Sequence, residues 1–481
     1  EKNDAMVAVS SCMIPSLDYM KHWKSINYLA QINHADGTLR NADGKSDRKK
    51  PGMWLRTVLA GVKLRLPQLY TSNPSTSMQT PLMGWRSWNT FYLSIDQQKI
   101  VGQAHAMVQK YAAPQATATT VTEATSLSEL GYKNVGIDDG WQACGEGVNG
   151  SFHNASGWPL VNKNRFPDIA AMNAVIRRMG LNSGFYFNNC WCNERNVNGG
   201  AHAEQDVAAA AKWGFATLKV DGCGPAHDFD VWVSASKTYD IMLENCGDNP
   251  RSPGSPPLPR PMPQQWATPT IEHLRKLILS GKCVYGMYRT STDIAADFFS
   301  AMYNLQATAP YLAASVSQPG CYAYPDMLMV GDPRMTKVEW RTHFAAWCIV
   351  SSPLVLGFDL EDSERRADVW PIISNRRAIR VNQHWAGHAG SLVSASHNTF
   401  EKVVFHGAEH VKDNEPTTFS RWQVWAKPLS RDGSEVAVLL INLGEDTLEE
   451  SVSVSWKDLG FAGRNRSHFS VTDVWNGVTR T

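Results

Sequence analysis

From about residue 83 to residue 389 the chain alternates two patterns. Short apolar runs are separated by stretches in which apolar residues recur every three or four positions. The short runs predict strands at 84–89, 131–141, 182–187, 217–221, 241–246, 283–289 and 354–360, with a poorly defined seventh element in 319–330. The longer periodicity predicts helices at 97–111, 121–130, 169–179, 203–213, 229–240, 271–279, 293–303, 337–350 and 372–381. Eight strand–helix repeats of this kind predict an α/β fold, a (β/α)8 TIM barrel over 81–389. The Pro-rich stretch 248–265 predicts a long loop. After residue 389 the pattern changes to strict alternation at 402–405, 422–425, 436–441, 451–456 and 470–474, broken by turns such as Arg431-Asp432-Gly433. This predicts a C-terminal antiparallel β-sandwich over 390–481, short of strands at its end. Residues 1–80 carry no repeating pattern and read as an N-terminal extension.

The stretch Thr217-Leu218-Lys219-Val220-Asp221-Gly222-Cys223 stands out, because a buried strand between two helices ends in a carboxylate. In a parallel barrel, ligands sit at the carboxyl ends of the strands, where Asp221 falls. Lys219 lies two residues earlier and points to the same side of the strand. A cation beside a carboxylate favours its ionised form. Other polar and aromatic residues cluster at the predicted strand ends: Trp88, Asp138, Asp139, Tyr186, Arg289, Asp293 and Asp326. Each has a structural explanation of its own; Asp293 is placed to cap the helix 293–303, and a buried Trp88 would be core. Five carboxylates on one rim, without clustered His ligands, suit carboxylate-pair glycoside hydrolysis or metal-assisted enolisation with a Lys base.

Composition removes other classes. Charged residues make up 19% and the net charge is +1, so no global basic or acidic field points to nucleic acid or anionic membrane. No apolar run reaches the length of a membrane span, and no clear secretory leader is recognised. No nucleotide, flavin or metal motif is found, and Gly145-Glu146-Gly147 is too short to cradle a phosphate, so no cofactor is expected. Nine Cys in 481 residues are too few for a disulfide scaffold and too scattered for a zinc site. Asn149, Asn154 and Asn465 each open an Asn-x-Ser sequon. They point to the secretory route, with extracellular and lysosomal or vacuolar destinations both open.

Taken together, Gly84-Trp85-x-x-Trp88, Ile137-Asp138-Asp139-Gly140-Trp141, Leu218-Lys219-x-Asp221-x-Cys223, Arg289-x-x-x-Asp293-Ile294 and Pro325-Asp326-Met327-Leu328 resemble glycoside hydrolase family 27, the α-galactosidase and α-N-acetylgalactosaminidase family. The likeness extends from Pro81 to the end through Glu339-x-Arg341-x-His343-Phe344, Ser352-Pro353-Leu354, Val381-Asn382-Gln383 and Trp422-x-Val424-Trp425. The resemblance implies a retaining exo-glycosidase with Asp221 as nucleophile and Asp293 as general acid and base. It implies that Asp138 and Asp139 bind the 4- and 6-hydroxyls of a galactose-type sugar. Lys219 and Arg289 would hold the 3- and 2-hydroxyl side together with Asp326, and Trp88 and Tyr186 would wall the pocket. The implied partner is a carbohydrate with a terminal α-galactose-type sugar, and a homodimer is among the assemblies left open.

The chain also departs from the family. The fifth strand ends Leu243-Glu244-Asn245-Cys246-Gly247 where the family carries Cys-Glu-Trp or Cys followed by small residues. Glu244 is therefore a candidate reader of the sugar's 2-position. Gly140 stands where the family has the second-loop half of a disulfide to the first loop. The resemblance implies a third-to-fourth-loop disulfide joining Cys190 or Cys192 to Cys223, and Cys246 with Cys283 is a second pairing. Competing readings keep the class and change the sugar, as in an α-N-acetylgalactosaminidase or a β-L-arabinopyranosidase, or discard catalysis for a carbohydrate-binding or structural glycoprotein.

Overall fold

The computed structural model describes residues 78–112, 124–188, 192, 202–221, 229–246, 269–281, 283, 285–405, 407, 416–444, 452–455, 457–459 and 469–480. Eight parallel strands form the central sheet: β1 (Met83–Arg86), β2 (Asn134–Gly136), β3 (Asn182–Asn188), β4 (Thr217–Asp221), β5 (Met242–Cys246), β6 (Tyr285–Arg289), β7 (Tyr322–Tyr324) and β8 (Leu354–Leu356). Their order is β7-β6-β5-β4-β3-β2-β1-β8, and the parallel bridge between Leu328 and Leu356 brings the two ends together into a barrel. Helices follow the strands, as the periodicity requires.

Strand alternation separates packing from chemistry. In β4, Leu218 and Val220 are buried in the helix layer, so Lys219 and Asp221 face the barrel axis. In β3, Phe185 and Phe187 face outward onto Trp141, with Phe185 also on Trp213 and Phe215 and Phe187 on Trp232. Tyr186 is left on the inner face beside Lys219, its register partner.

The structure differs from the sequence expectations where local side chains outweigh periodicity. The first strand stops at Arg86, and a short helix, Trp88–Phe91, follows. The described part of 121–130 is a turn, because Glu129 reaches back to accept from the Ser126 amide at 2.9 Å. The helix expected at 293–303 begins later, at Phe298, because Asp297 caps it by accepting from Phe299 and Ser300. Asp293 is thus free of any capping role. The expected helix 372–381 is two helices, Ser363–Ile373 and Arg376–Gln383; the Asn375 side chain accepts from two amides and starts the second.

Beyond the barrel lie the sheet β13-β12-β9 and the hairpins β10-β11 and β14-β15, with β9 Ser391–Ala395, β10 Thr399–Val403, β11 Pro416–Ser420, β12 Trp422–Pro428, β13 Val436–Asn442, β14 Val471–Thr472 and β15 Thr479–Arg480. All are antiparallel, and they form the C-terminal β-sandwich unit. Residues 452–455, inside an expected strand, are not in one. No helix among the described residues is long and apolar enough to cross a membrane.

Candidate active site

The carboxyl ends of β2 to β7 converge on a buried polar cluster. Parallel pairing sets Tyr186, Lys219 and Glu244 at one level and Asn188, Asp221 and Cys246 at the next level toward the rim. Asp138 and Asp139 follow β2, Arg289 ends β6, and Asp293 and Asp326 come from the loops after β6 and β7. Every residue singled out on the rim lies at this end of the barrel.

Lys219 and Asp221 share a face, but they do not pair as expected. Lys219 Nζ donates to Asp138 Oδ2 at 2.8 Å, and Asp221 Oδ2 accepts from the Tyr186 hydroxyl at 2.8 Å. Burial would raise Asp138, but Lys219 and Arg86 outweigh it and hold this carboxyl below its usual range. Burial pushes Asp221 up to about 6; the Lys219 charge and the Tyr186 hydrogen bond pull it down, while the Asp293 charge pushes it up. Burial and then the Asp138 charge push Asp139 up to about 6. Asp139 Oδ1 accepts from the Gly140 amide at 2.8 Å, but its buried Oδ2 has no partner among the described residues. Such an orphaned acceptor is costly unless a ligand donates to it.

The opposite wall is built around Arg289, which is 4% exposed. Its Nη2 lies 3.0 Å from Asp293 Oδ1 and 3.2 Å from Asp326 Oδ2, and its Nη1 donates to Cys246 Sγ at 3.1 Å. Asp326 adopts φ 91°, a conformation unfavourable for a residue with a side chain. It is held there on both sides. Its carboxylate accepts from the Ile294 and Met327 amides, and its carbonyl accepts from Trp347 Nε1. Strain maintained by its surroundings is characteristic of functional positions. The Asp293 side chain is 68% exposed, at the mouth. Asp221 ends β4 and Asp293 follows β6, with β5 between those two strands.

One inward residue escaped the sequence reading. Arg86, on β1, spans the barrel interior to an ion pair with Glu244 and approaches Asp138 at 3.5 Å. Room for it comes from Gly136, where an added Cβ would meet the Arg86 side chain at 3.3 Å. A cation inside an otherwise apolar strand motif was the available signal. Glu244 points inward, as the candidate reading required, but it is 1% exposed and paired with Arg86. The group level with Asp221 at the end of β5 is Cys246, whose thiol burial pushes up and keeps neutral.

Among the described residues the disulfides differ from the expected Cys192–Cys223 and Cys246–Cys283 pairs, while the alternative Cys190–Cys223 pair lies outside the described residues. Cys192 pairs with Cys144, with Cα atoms 5.0 Å apart, and so ties the third loop to the second. Cys283 pairs with Cys321 across a Cα separation of 6.0 Å, and Cys246 is free. Cys246 is level with Arg289 at the rim, whereas Cys283 precedes β6 at the other end of the barrel. At 3.3 Å per residue that is roughly 20 Å, far beyond the reach of a disulfide. Cys190 and Cys223 lie outside the described residues, as does Asn465. Where the family joins the first and second loops covalently, Gly140 (φ 106°) packs on Leu93, and Arg165 donates to the carbonyls of both. A Cβ at Gly140 would lie 2.7 Å from the Leu93 carbonyl oxygen, so only glycine fits there. Asn149 and Asn154 are exposed.

Comparison with known proteins places this geometry. The family described as "Alpha galactosidase A" matches residues 80–384, and "Alpha galactosidase C-terminal beta sandwich domain" matches residues 420–481. The chain is 28% identical over 395 residues to an α-galactosidase of Oryza sativa, covering 80% of this chain and 76% of that one. It is 28% identical over 406 residues to an α-galactosidase of Cyamopsis tetragonoloba, covering 84% and 81%. Among solved structures, α-galactosidase I of Mortierella vinacea superposes with a TM-score of 0.60 at 19% identity, covering 85% of this chain and 93% of that one. A β-L-arabinopyranosidase of Geobacillus stearothermophilus gives 0.56 at 18%, covering 83% and 91%. At these identities the solved structures establish the fold.

Proposed function

The chain belongs to the alpha galactosidase A family, and from that premise we propose that it is a retaining exo-α-galactosidase. The Asp221 carboxylate attacks the anomeric carbon of a terminal α-galactosyl unit, and the bond to the leaving oxygen breaks as Asp293 gives that oxygen its proton. Water then attacks the anomeric carbon, Asp293 takes the water's proton, and the ester bond to Asp221 breaks to release α-galactose. Asp138, fixed by Lys219, and Asp139 receive the 4- and 6-hydroxyls. Trp88 and Tyr186 wall the sugar. Arg289, Asp326 and Cys246 line the 2-hydroxyl side, with Glu244 behind them as the partner of Arg86.

The observation that carries the choice of sugar is the buried Asp139 Oδ2, which meets no donor at hydrogen-bond distance among the described residues, although the Gln142 amide is near enough to lower the carboxyl. A 6-hydroxyl supplies the missing donor, whereas a pentoside would leave the oxygen orphaned at a cost of about 1–3 kcal/mol. This favours galactose over an arabinopyranoside. Two disulfides among the described residues and exposed sequons at Asn149 and Asn154 support an oxidising, secretory destination.

The test is hydrolysis of 4-nitrophenyl α-D-galactopyranoside, with the α-N-acetylgalactosaminide and β-L-arabinopyranoside compared and the released anomer followed by NMR. Fast release of α-galactose is the expected result. Inertness toward all three would transfer the weight to a binding protein, and faster turnover of either analogue would reassign the sugar.

A further inference from the structure

The C-terminal hairpin β10-β11 reaches the mouth of the barrel. Phe400 and Phe419, cross-strand partners on it, pack on Phe299 with ring centroids 5.9 Å and 5.3 Å away, and Lys402 Nζ lies 5.3 Å above the Phe299 ring. Phe299 is in the first turn of the helix Phe298–Ala313, a few residues after Asp293. The sheet behind the hairpin grips the same helix, where Gln423 donates to Gln306 at 2.6 Å. From this anchorage the chain leaving β10 runs back toward the site. The Gly407 amide donates to the Asp293 carbonyl at 2.9 Å, and an added Cβ at Gly407 would lie 4.0 Å from Asp293 Cβ.

Three further observations separate this contact from ordinary domain packing. First, it falls in the segment 385–419, between the two regions matched by the family. Second, the link from Val403 to its register partner Pro416 spans 404–415, much longer than the two to five residues that close most hairpins. Third, Phe405, a large apolar ring two residues before the contact, keeps 37% of its surface exposed. The sugar pocket proposed above is enclosed by strand ends, so only the leaving group extends past Asp293 toward the hairpin.

We propose that Phe405 and Gly407 form a leaving-group subsite, a strip contributed by the C-terminal unit that receives the saccharide attached through the scissile oxygen. This rests on the α-galactosidase reading and adds its acceptor side. The Gly407 amide fixes the main chain of Asp293, so the proton donor and the surface carrying the departing sugar are held by one element. Phe405 offers rigid apolar area to the C–H face of that sugar.

The experiment replaces 404–415 by a short Gly-Ser linker that rejoins Val403 to Pro416, which has no N–H to close a tight turn, while keeping the Phe299 cluster. Two substrates are compared: galactosyl-α-1,6-glucose, and α-galactosyl fluoride, whose leaving group is a single atom. The ratio of their kcat/KM values is expected to fall at least tenfold against the disaccharide, since binding at a remote subsite is expressed in the transition state. Phe405→Ala, a milder change, is expected to lower the same ratio by about threefold, mainly through KM. An unchanged ratio in both variants, whether activity is kept or lost equally on the two substrates, would overturn the subsite and leave the α-galactosidase reading standing. A wild-type protein inert toward both substrates would overturn that reading and the subsite with it.

Discussion

The two walls of the site hold their carboxylates by different means. On the β3–β4 side, Asp221 ends a regular strand and is locked by Tyr186, while the neighbouring Asp138 is locked by Lys219 and Arg86. On the β6 side, Asp293 stands on a loop, mostly exposed, with one guanidinium on its carboxylate and a C-terminal glycine amide on its carbonyl. A nucleophile needs one fixed trajectory to carbon, which a strand end supplies. A group that first gives and then takes a proton must meet both the departing oxygen and the incoming water, so the mouth suits it. The division of labour proposed for these two chemically identical side chains follows from where each is anchored.

The largest expected effect tests that division. Asp221→Asn should lower kcat/KM by about 10⁴-fold or more on every galactoside, because no leaving group compensates for a missing nucleophile. Asp293→Asn should be selective. The loss should be about 10²–10⁴-fold for galactosyl-α-1,6-glucose, whose leaving oxygen needs a proton, and under about tenfold for α-galactosyl fluoride. Equal losses on both substrates in the Asp293 variant would abolish the distinction between the walls.

A smaller effect concerns the support beneath the Asp221 wall. Arg86 and Glu244 form an ion pair buried inside the barrel. Arg86→Met leaves a buried carboxylate without its partner and should destabilise the fold by about 3–5 kcal/mol. Adding Glu244→Gln removes the stranded charge and should recover most of that loss. Denaturant unfolding of the single and double variants measures the recovery. A double variant as unstable as the single would mean that Arg86 acts through Asp138 and not through Glu244.

The same contrast separates what the sequence exposed from what it hid. The β4 strand was readable to its exact bounds, because Leu218 and Val220 alternate with Lys219 and Asp221 and the chemistry lies on the strand itself. The eight-strand barrel followed from repetition of that local pattern. Around Asp293 the reading failed in detail. The next helix starts at Asp297's cap, the amide on its carbonyl comes from Gly407, and both are decided by side-chain hydrogen bonds or by contacts across more than a hundred positions. The disulfide pairs were hidden for the same reason: spacing does not reveal that Cys246 and Cys283 occupy opposite ends of the barrel. The Arg86–Glu244 pair joins strands far apart in the chain, and no periodicity records it.

The smallest effect sharpens the comparison within the Asp221 wall itself. Burial raises both Asp221 and Asp139 to about 6, so either could set the acidic limb of a kcat/KM profile. Only Asp221 accepts from the Tyr186 hydroxyl, and that bond favours its ionised form. Tyr186→Phe removes the bond and keeps the ring, so the Asp221 carboxyl should rise and the acidic limb should move to higher pH by about one unit, the equivalent of roughly 1.4 kcal/mol. The sign extends to stability. A carboxyl whose folded value is raised stabilises the fold while protonated and loses that contribution as pH climbs from its unfolded value through about 6. By the pH at which the folded Asp221 carboxyl ionises, as the proposed nucleophile must, its contribution to stability has already been lost. Tyr186→Phe should carry both transitions upward together. An acidic limb that stays in place while the unfolding transition moves would assign the limb to Asp139 and leave Tyr186 a purely structural partner of Asp221.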